Sequence, residues 1–527
     1  MRQLKAAGAA LGVVIKGDGK TREAQEVSDA QLRTAQGLLE QARTGLTGKP
    51  LRHVNRAIKQ ILHNRSRSLS YSRRRTIRRT GAPNQRGSFR TRLAAITGPG
   101  LRDRLGLGRN PMRMAAGAAL AVDSTMRSSV SVRTCRASAP LRQWAACVVC
   151  GCLAWLLAGV GLSAQDLPRF RERVISKGLK MGYQLVAADL NGKGRKDLIA
   201  VDEQATEVGW FENPTWERHV LATNVPRPLS AACFDIDGDG IPEVVLAYHF
   251  DTHPEQSVGN VVLLTHGKDV REPWRAREID RVPTAHRVRW IAPEGNGQKV
   301  LLLAPMVGQR FPPVEGDAAP IYLYRPGKWE RETISNEPRG VLHAIQPVSW
   351  DGSARQQLLT ASYAGIHRLE FIGGKWATTL LSRGDPRPWP LCGSSEVRLG
   401  HLGPQRILAA IEPWHGNQVV VYVPEGEQWK RVVIEDRMDN GHALAVGDLN
   451  GDGRDEIVCG FRGKGFQLSI YQAVDAKGEH WRKTVLDDGG IAAADCIIED
   501  ITGHGRHDIV AIGASTGNVK LYENLGK

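Results

Sequence analysis

The stretch GDLNGDGRDEIVCGF (447–461) places Asp448, Asn450, Asp452 and Glu456 at positions 1, 3, 5 and 9 of a glycine-rich turn. Oxygen side chains at alternate positions, with the Arg454 carbonyl at position 7, can close around one hard cation such as Ca2+. CFDIDGDGIPEVVLAY (233–248) repeats the arrangement with Asp235, Asp237, Asp239, Glu243 and the Ile241 carbonyl. VAADLNGKGRKDLIAVD (186–202) keeps Asp189, Asn191 and Asp197, but Lys193 stands at position 5, a cation where a ligand belongs. In DCIIEDITGHGRHDIVAIG (495–513), Asp500 and Asp508 remain with Thr502 and His504 between them. The oxygen pattern has nearly gone from two further copies, APEGNGQKV and SWDGSARQQ. A second series runs six residues ahead of position 1: Tyr183, Leu229, His286, His343, His442 and Ala494. Imidazoles gathered beside carboxylates suit a divalent metal site or acid–base work near neutral pH.

These residues need elements to bring them together. Each loop is flanked by apolar runs, so each copy reads strand, turn, strand. A third strand follows, as in GNVVLLTHG, PIYLYRPG, NQVVVYVP and FQLSIYQ. A fourth begins at a recurring aromatic marker: WERHVL (216–221), WRAREI (274–279), WERETI (329–334), WATTLL (376–381), WKRVVI (429–434) and WRKTVL (481–486), spaced by 58, 55, 47, 53 and 52 residues. Four strands in about fifty residues is the signature of a β-propeller blade. The last repeat, from Gly490, has its turn and third strand (NVKLYENLGK) but no fourth. RFRERVI (169–175) matches the marker, with Phe170 in the Trp place. The expected fold is therefore an all-β, seven-bladed propeller over 166–527. An N-terminal strand would complete the last blade and leave no free edge.

Such a ring puts the starts of the first strands and the ends of the second strands at one end of a central channel. The Asp loops belong at the other. The same rim then receives Asp202 or Glu203, His249, Tyr363, Glu412, His415 and Arg462, and the fifth blade's equivalent of the histidine position falls near Ser394–Ser395. One channel-facing histidine is readily a hydrogen-bonded lining residue. Three at one structural position, with His415 and His249 beside them, point to function. Trp389 and Trp414 suit stacking on a sugar face or packing within a blade.

The Asp-rich loops and their strand flanks resemble the FG-GAP or VCBS repeats of integrin-type propellers over four blades. The loop reading is then of structural Ca2+, a rivet between two strands. A narrower resemblance rests on WFENPTWERHVL, PTAHRVRW, GVLHAI, LLTASYAGIHRLEF and AAIEPWHGNQVVVY in the first, third, fourth and fifth blades. These segments are similar to the propeller of the aldos-2-ulose dehydratase family. That family dehydrates oxidised sugars with divalent metals bound, and its full-length members add cupin domains for an isomerisation. No cupin follows Lys527 here, so the isomerisation is not expected. The resemblance implies a lyase or dehydratase for a keto-sugar or uronate-like sugar. His286, His343, His442 and His415 would hold a second divalent metal such as Zn2+ or Mg2+, with Glu412 or Tyr363 as proton carriers and His249 on the same rim. The alternative is a non-catalytic propeller that binds a glycan or a protein partner.

Charge is divided along the chain. Residues 1–165 hold 29 of the 71 Lys and Arg but only 7 of the 55 Asp and Glu; 166–527 holds 42 against 48 and is net −6. A nucleic-acid partner is not expected from a body of that charge. The Arg- and Ser-rich run at 64–92 has too few large apolar residues to fold. From Met126, four arginines precede a charge-free run, Trp144 to Gln165, that ends in small residues. This is the pattern of a secretory signal peptide over 126–165. It implies translation from near Met126, a basic extension without a fold at 1–125, and a secreted or periplasmic product. A genuine basic tail or an uncleaved membrane anchor are the alternatives. The body's cysteines, Cys233, Cys392, Cys459 and Cys496, form no CxxC pair and suit buried free thiols. Edman sequencing of the mature native protein should return a start near Gln165 or Asp166. An intact product beginning at Met1 would refute the signal-peptide reading.

Overall fold

The computed structural model describes residues 166–527, together with one two-rung ladder between Val14–Ile15 and Thr21–Arg22. The expectations for 126–165, and for 1–125 apart from that ladder, lie outside the described residues. Among the described residues no helix is long and apolar enough to cross a membrane.

Residues 170–524 form seven four-stranded antiparallel sheets. The first blade runs Gly182–Ala188, Asp197–Asp202, Glu207–Glu212 and Glu217–Thr223, and the next five follow in sequence order. The seventh takes three strands from the C-terminus, Ala493–Glu499, Asp508–Gly513 and Asn518–Asn524. Its fourth is Phe170–Lys177 from the other end of the chain. The closing ladder runs from Phe170 opposite Asn524 to Lys177 opposite Asn518. Arg171 donates to Glu523 at 2.6 Å, and Lys520 bridges Glu172 (2.9 Å) and the buried Asp487 (2.7 Å). The whole is the expected all-β, seven-bladed propeller.

The hydrophobic core is a ring of seams. Seven buried clusters each draw on two adjacent blades. One pairs the first and second through Trp210, Leu221, Val244 and Leu246, and the last pairs the seventh and first through Val510, Leu521, Leu185 and Phe211. The marker aromatics acquire their meaning here. Trp216, Trp274, Trp329, Trp376, Trp429 and Trp481 each open an outermost strand, and each packs into the seam shared with the preceding blade. Phe170 does the same for the seventh blade. An aromatic side chain supplies the large apolar area that a thin, twisted sheet margin otherwise lacks. Cys459 and Cys496 are buried free thiols, whereas Cys233 and Cys392 are only partly buried.

Deleting residues 166–177 should leave the strand Asn518–Asn524 as a bare sheet edge next to an opened seam. The expected result is a lower thermal midpoint and concentration-dependent self-association on size exclusion. A monomer with an unchanged midpoint would show that the closing strand is dispensable.

Candidate active site

A repeated irregularity aims the channel residues. In the first blade Gly182 faces Asp202 and the next paired residue, Gln184, faces Val201, so Tyr183 is an extra residue in the inner strand. The same bulge releases His286, His343, His442 and Ala494 from their ladders. A bulge re-aims one side chain without breaking the sheet around it. Thr284 and Asn440, two residues before His286 and His442, carry the chain in through left-handed conformations (φ 57° and 63°). His415 arrives differently, from the turn after Gln405–Glu412, and is itself left-handed (φ 47°). A non-glycine residue holds that conformation only where its surroundings over-determine it.

The four imidazoles converge. Ring centroids lie 4.8 Å apart for His286–His343 and His343–His415, 5.0 Å for His343–His442 and 5.1 Å for His415–His442. His343, His415 and His442 each offer a ring nitrogen within 4.8 Å of the other two. His343 Nδ1 donates to Glu396 at 3.0 Å, which leaves its Nε2 with a lone pair. His442 Nδ1 donates to the Ala494 carbonyl, and among the described residues its buried Nε2 has no hydrogen-bond partner. A carboxylate or carbonyl behind the ring is how ligating histidines are oriented. His415 Nε2 lies 3.1 Å from His343 Nε2. Two nitrogens around one tetrahedral Zn2+ would be separated by roughly 3.3 Å. The donor set therefore fits a divalent cation, with His343 and His442 preset and His415 completing the trio after a tautomer change.

Burial keeps the imidazoles neutral. It holds His343 down to about 4 and His286, His415 and His442 well below the usual histidine range, helped by the Arg287 and Arg462 charges. Burial would raise Glu396, but the hydrogen bond from His343 and the Arg398 and Arg287 charges hold it at about 2. His286 is committed elsewhere. Its Nε2 meets Tyr183 Oη at 2.8 Å and Arg287 Nη1 at 3.1 Å, and Arg287 also donates to Tyr183 at 3.0 Å.

Other residues expected at this rim take different places. Glu412 is buried with its carboxylate fully engaged. Ser394, Tyr422 and Arg431 donate to it at 2.7, 2.5 and 2.8 Å, so it braces the fifth blade rather than carrying protons at the channel. Tyr363 joins an aromatic wall with Phe250, Phe311, Trp389 and Trp414. Burial pushes its phenol above the usual range. Trp414 connects that wall to the cluster, 4.6 Å from His415 and 5.9 Å from Tyr363. His249 contributes a left-handed turn whose carbonyl accepts from Gly259 and Ser257. Asp202 caps Lys180 and Met181 backbone amides. Glu203 has no hydrogen-bond donor on its carboxylate among the described residues, and burial raises its pKa against the Arg462 charge. Arg287 and Glu396 escaped the sequence reading. Each occupies the position just after the channel-facing residue of its blade, and neither type recurs there in other blades.

The Asp loops leave the inner strands at the opposite end. Six residues of strand separate His442 from Asp448, a rise of about 20 Å. Asp235, Asp237 and Asp239 bring carboxylate oxygens within 4.8 Å of one another. Asp239 also receives His266 at 2.9 Å, and Glu243 accepts from the Ile236 amide at 2.8 Å. In the sixth blade Asp448 accepts from Gly451 and Gly453 (2.7 and 2.8 Å), Asp452 from Arg454 (2.9 Å), and Asn450 donates to Glu456 (3.1 Å). In the first blade Asp189 accepts from Lys193 and Gly194 amides, while Asn191 lies near Asp197 at 3.5 Å. The Lys193 ammonium turns away to Glu212 at 2.6 Å instead of filling position 5.

Comparison with known proteins follows the same division. Residues 259–425 match the family model of the aldos-2-ulose dehydratase β-propeller domain, a span holding His286, His343 and His415. Residues 189–246 match an FG-GAP-like repeat and 440–468 an FG-GAP repeat. No curated protein matches the chain. Among solved structures it is similar to Kuenenia stuttgartiensis hydrazine synthase, with 13% identity and a TM-score of 0.43 over 67% of this chain and 98% of that one. It is also similar to U3-55K, with 9% identity and a TM-score of 0.43 over 67% and 99%. The family-model matches thus cover three stretches of the propeller and, at the channel mouth, most of the histidine cluster.

Proposed function

We propose that this propeller is an exported, calcium-stabilised lyase or dehydratase acting on an oxidised sugar at the histidine cluster. One observation carries the reading. Three neutral imidazoles meet at one point with second groups behind two of them, and two of the three, His343 and His415, lie in the stretch that matches the dehydratase propeller. A divalent cation held there would polarise a substrate carbonyl. The chain's own residues supply the rest. The aromatic wall from Trp414 to Tyr363 offers flat apolar faces for a sugar and keeps water from one side of the cluster. Glu203, held up by burial and free of donors, suits removal of the proton next to the carbonyl. Tyr183, bonded between Arg287 and His286, suits protonation of the departing β-hydroxyl. The C–H and C–O bonds break, a C=C bond forms, and water leaves.

Ca2+ in the Asp loops of the second and sixth blades would fasten the first two strands of each blade at the far end. Burial and the neighbouring Asp charges hold Glu456 up to about 7 without metal. Cation binding favours the deprotonated form. Calcium's stabilisation should therefore grow as pH rises from 5 to 8.

His343→Ala should abolish Zn2+ uptake at the channel and turnover of a keto-sugar, with the calcium-dependent rise in thermal midpoint retained. Asp448→Ala or Asp235→Ala should do the reverse. Ligand stabilisation of about 2.7 kcal/mol at a hundredfold excess over Kd sets the scale of the calcium effect. Wild-type Zn2+ affinity in His343→Ala would sink the metal-assisted reading and leave the glycan- or protein-binding alternative. Glu396→Gln keeps shape but removes the charge behind His343. It should weaken Zn2+ binding by roughly 10–100-fold in a competition titration, and an unchanged affinity would show that Glu396 plays no orienting part.

A further inference from the structure

Arg462 at the channel mouth has no carboxylate partner among the described residues; Arg289 of the third blade's inner strand has none either, but it donates to the Val288 carbonyl at 2.8 Å and to Ser230 at 3.4 Å. Arg287 and Arg398 share Glu396 at 3.4 and 3.0 Å, Arg431 pairs with Glu412 at 2.8 Å, and Arg227 pairs with Asp251 at 2.8 Å. Arg462 leaves the end of the strand Glu456–Phe461 beside the histidine trio. Its Nη2 has only long contacts, to Asn440 Oδ1 at 3.4 Å and His415 Nδ1 at 3.5 Å. No carboxylate among the described residues forms an ion pair with it. Of the other carboxylates at this mouth, Asp439 accepts from the Lys464 amide, Asp202 from Lys180 and Met181, and Glu396 from His343 and the two other arginines, which leaves Glu203 as the one without a donor among the described residues. Glu203 shares the mouth and is felt by Arg462 only through space.

A guanidinium stays protonated even when burial works against it, and a partly buried one left unpaired is costly. Its planar fork matches a carboxylate with two parallel hydrogen bonds. Resting on the sugar-lyase reading above, we infer that the site takes a sugar acid and that Arg462 binds the substrate's carboxylate. A carboxylate adjacent to the reacting carbon would then lie between Arg462 and the histidines, with the ring against Trp414. Neutral ketoses would be poorer ligands.

The test uses the full chain with D-galacturonate and its methyl ester, which differ by the charge alone, in calorimetric titrations. Wild type should prefer the free acid by about tenfold or more, the scale of one charge-assisted hydrogen bond. Arg462→Gln should erase that preference with the ester's affinity unchanged. Arg462→Lys, which keeps the charge without the fork, should restore part of it. Equal binding of acid and ester by wild type, binding of neither, or a preference that survives Arg462→Gln overturns the inference. If Arg462→Gln does not fold, by its thermal unfolding profile, the wild-type comparison and Arg462→Lys decide. Zn2+ uptake measured on the same samples separates the two readings. Uptake without acid preference refutes only the sugar acid, and acid preference without uptake refutes only the metal-assisted chemistry.

Discussion

Each blade here is too thin to bury its own faces, so apolar packing between neighbours is the constraint from which the rest follows. Seven seams run around the ring, and in each an aromatic from an outermost strand, Trp in six cases and Phe170 in the seventh, is laid into the core of the preceding blade. The ring closes only because residues 170–177 return to complete the last sheet. Once it is closed, Tyr183 and His286 come within hydrogen-bonding distance although they are 103 residues apart. The chemistry at the channel is thus a consequence of closure, and no local segment could hold it.

Much of this was legible in the sequence because a repeat writes the same physics several times. The marker aromatics, the strand–turn–strand units and the displaced seventh strand all showed through their spacing. So did the constant offset between the channel residue and the Asp loop. The structure supplies its cause: the offset residue is a bulge, the same extra residue in five inner strands. The legible part ended where repetition ended. Arg287 and Glu396 stand at a position that varies from blade to blade, with Gln184, Ser230, Ala344, Ala443 and Asp495 in the others, so no repetition marks them. Glu412 shows a different failure. Its place at the end of a second strand puts its backbone on the rim, but side chains alternate along a strand. Its carboxylate turns into the blade toward Tyr422 and Arg431, while His415, three residues on and left-handed, turns to the channel.

The two ends of the blades carry opposite electrostatic designs. The Asp loops collect exposed carboxylates on glycine turns whose amides already satisfy part of their charge. Such a turn can close on its own hydrogen bonds, which accounts for the survival of its shape in the copies that have lost the oxygen ligands. The channel mouth collects buried, uncharged imidazoles and balances Glu396 with arginines. The loops thus hold a surplus of negative charge near water, the setting that the proposed calcium would answer. At the mouth, coordination of the proposed metal would rest on lone pairs that burial has kept free of protons.

That difference also says which end can discriminate among ligands. Where the glycine turns keep their oxygens they offer only a small cage of amides and carboxylates, which would suit a spherical ion and little else. The mouth is asymmetric. Aromatic faces come from the second to the fifth blades, with Tyr183 and Glu203 on the first and Arg462 on the sixth. A ligand bound there meets a flat apolar surface, a nitrogen-lined point and a cation in fixed relative positions. Those three features select a molecule with a ring face, a coordinating oxygen and an orientation imposed by its charge. Seven-fold repetition builds the ring, but departures from repetition, at the bulge of five inner strands and beside it, make the mouth asymmetric.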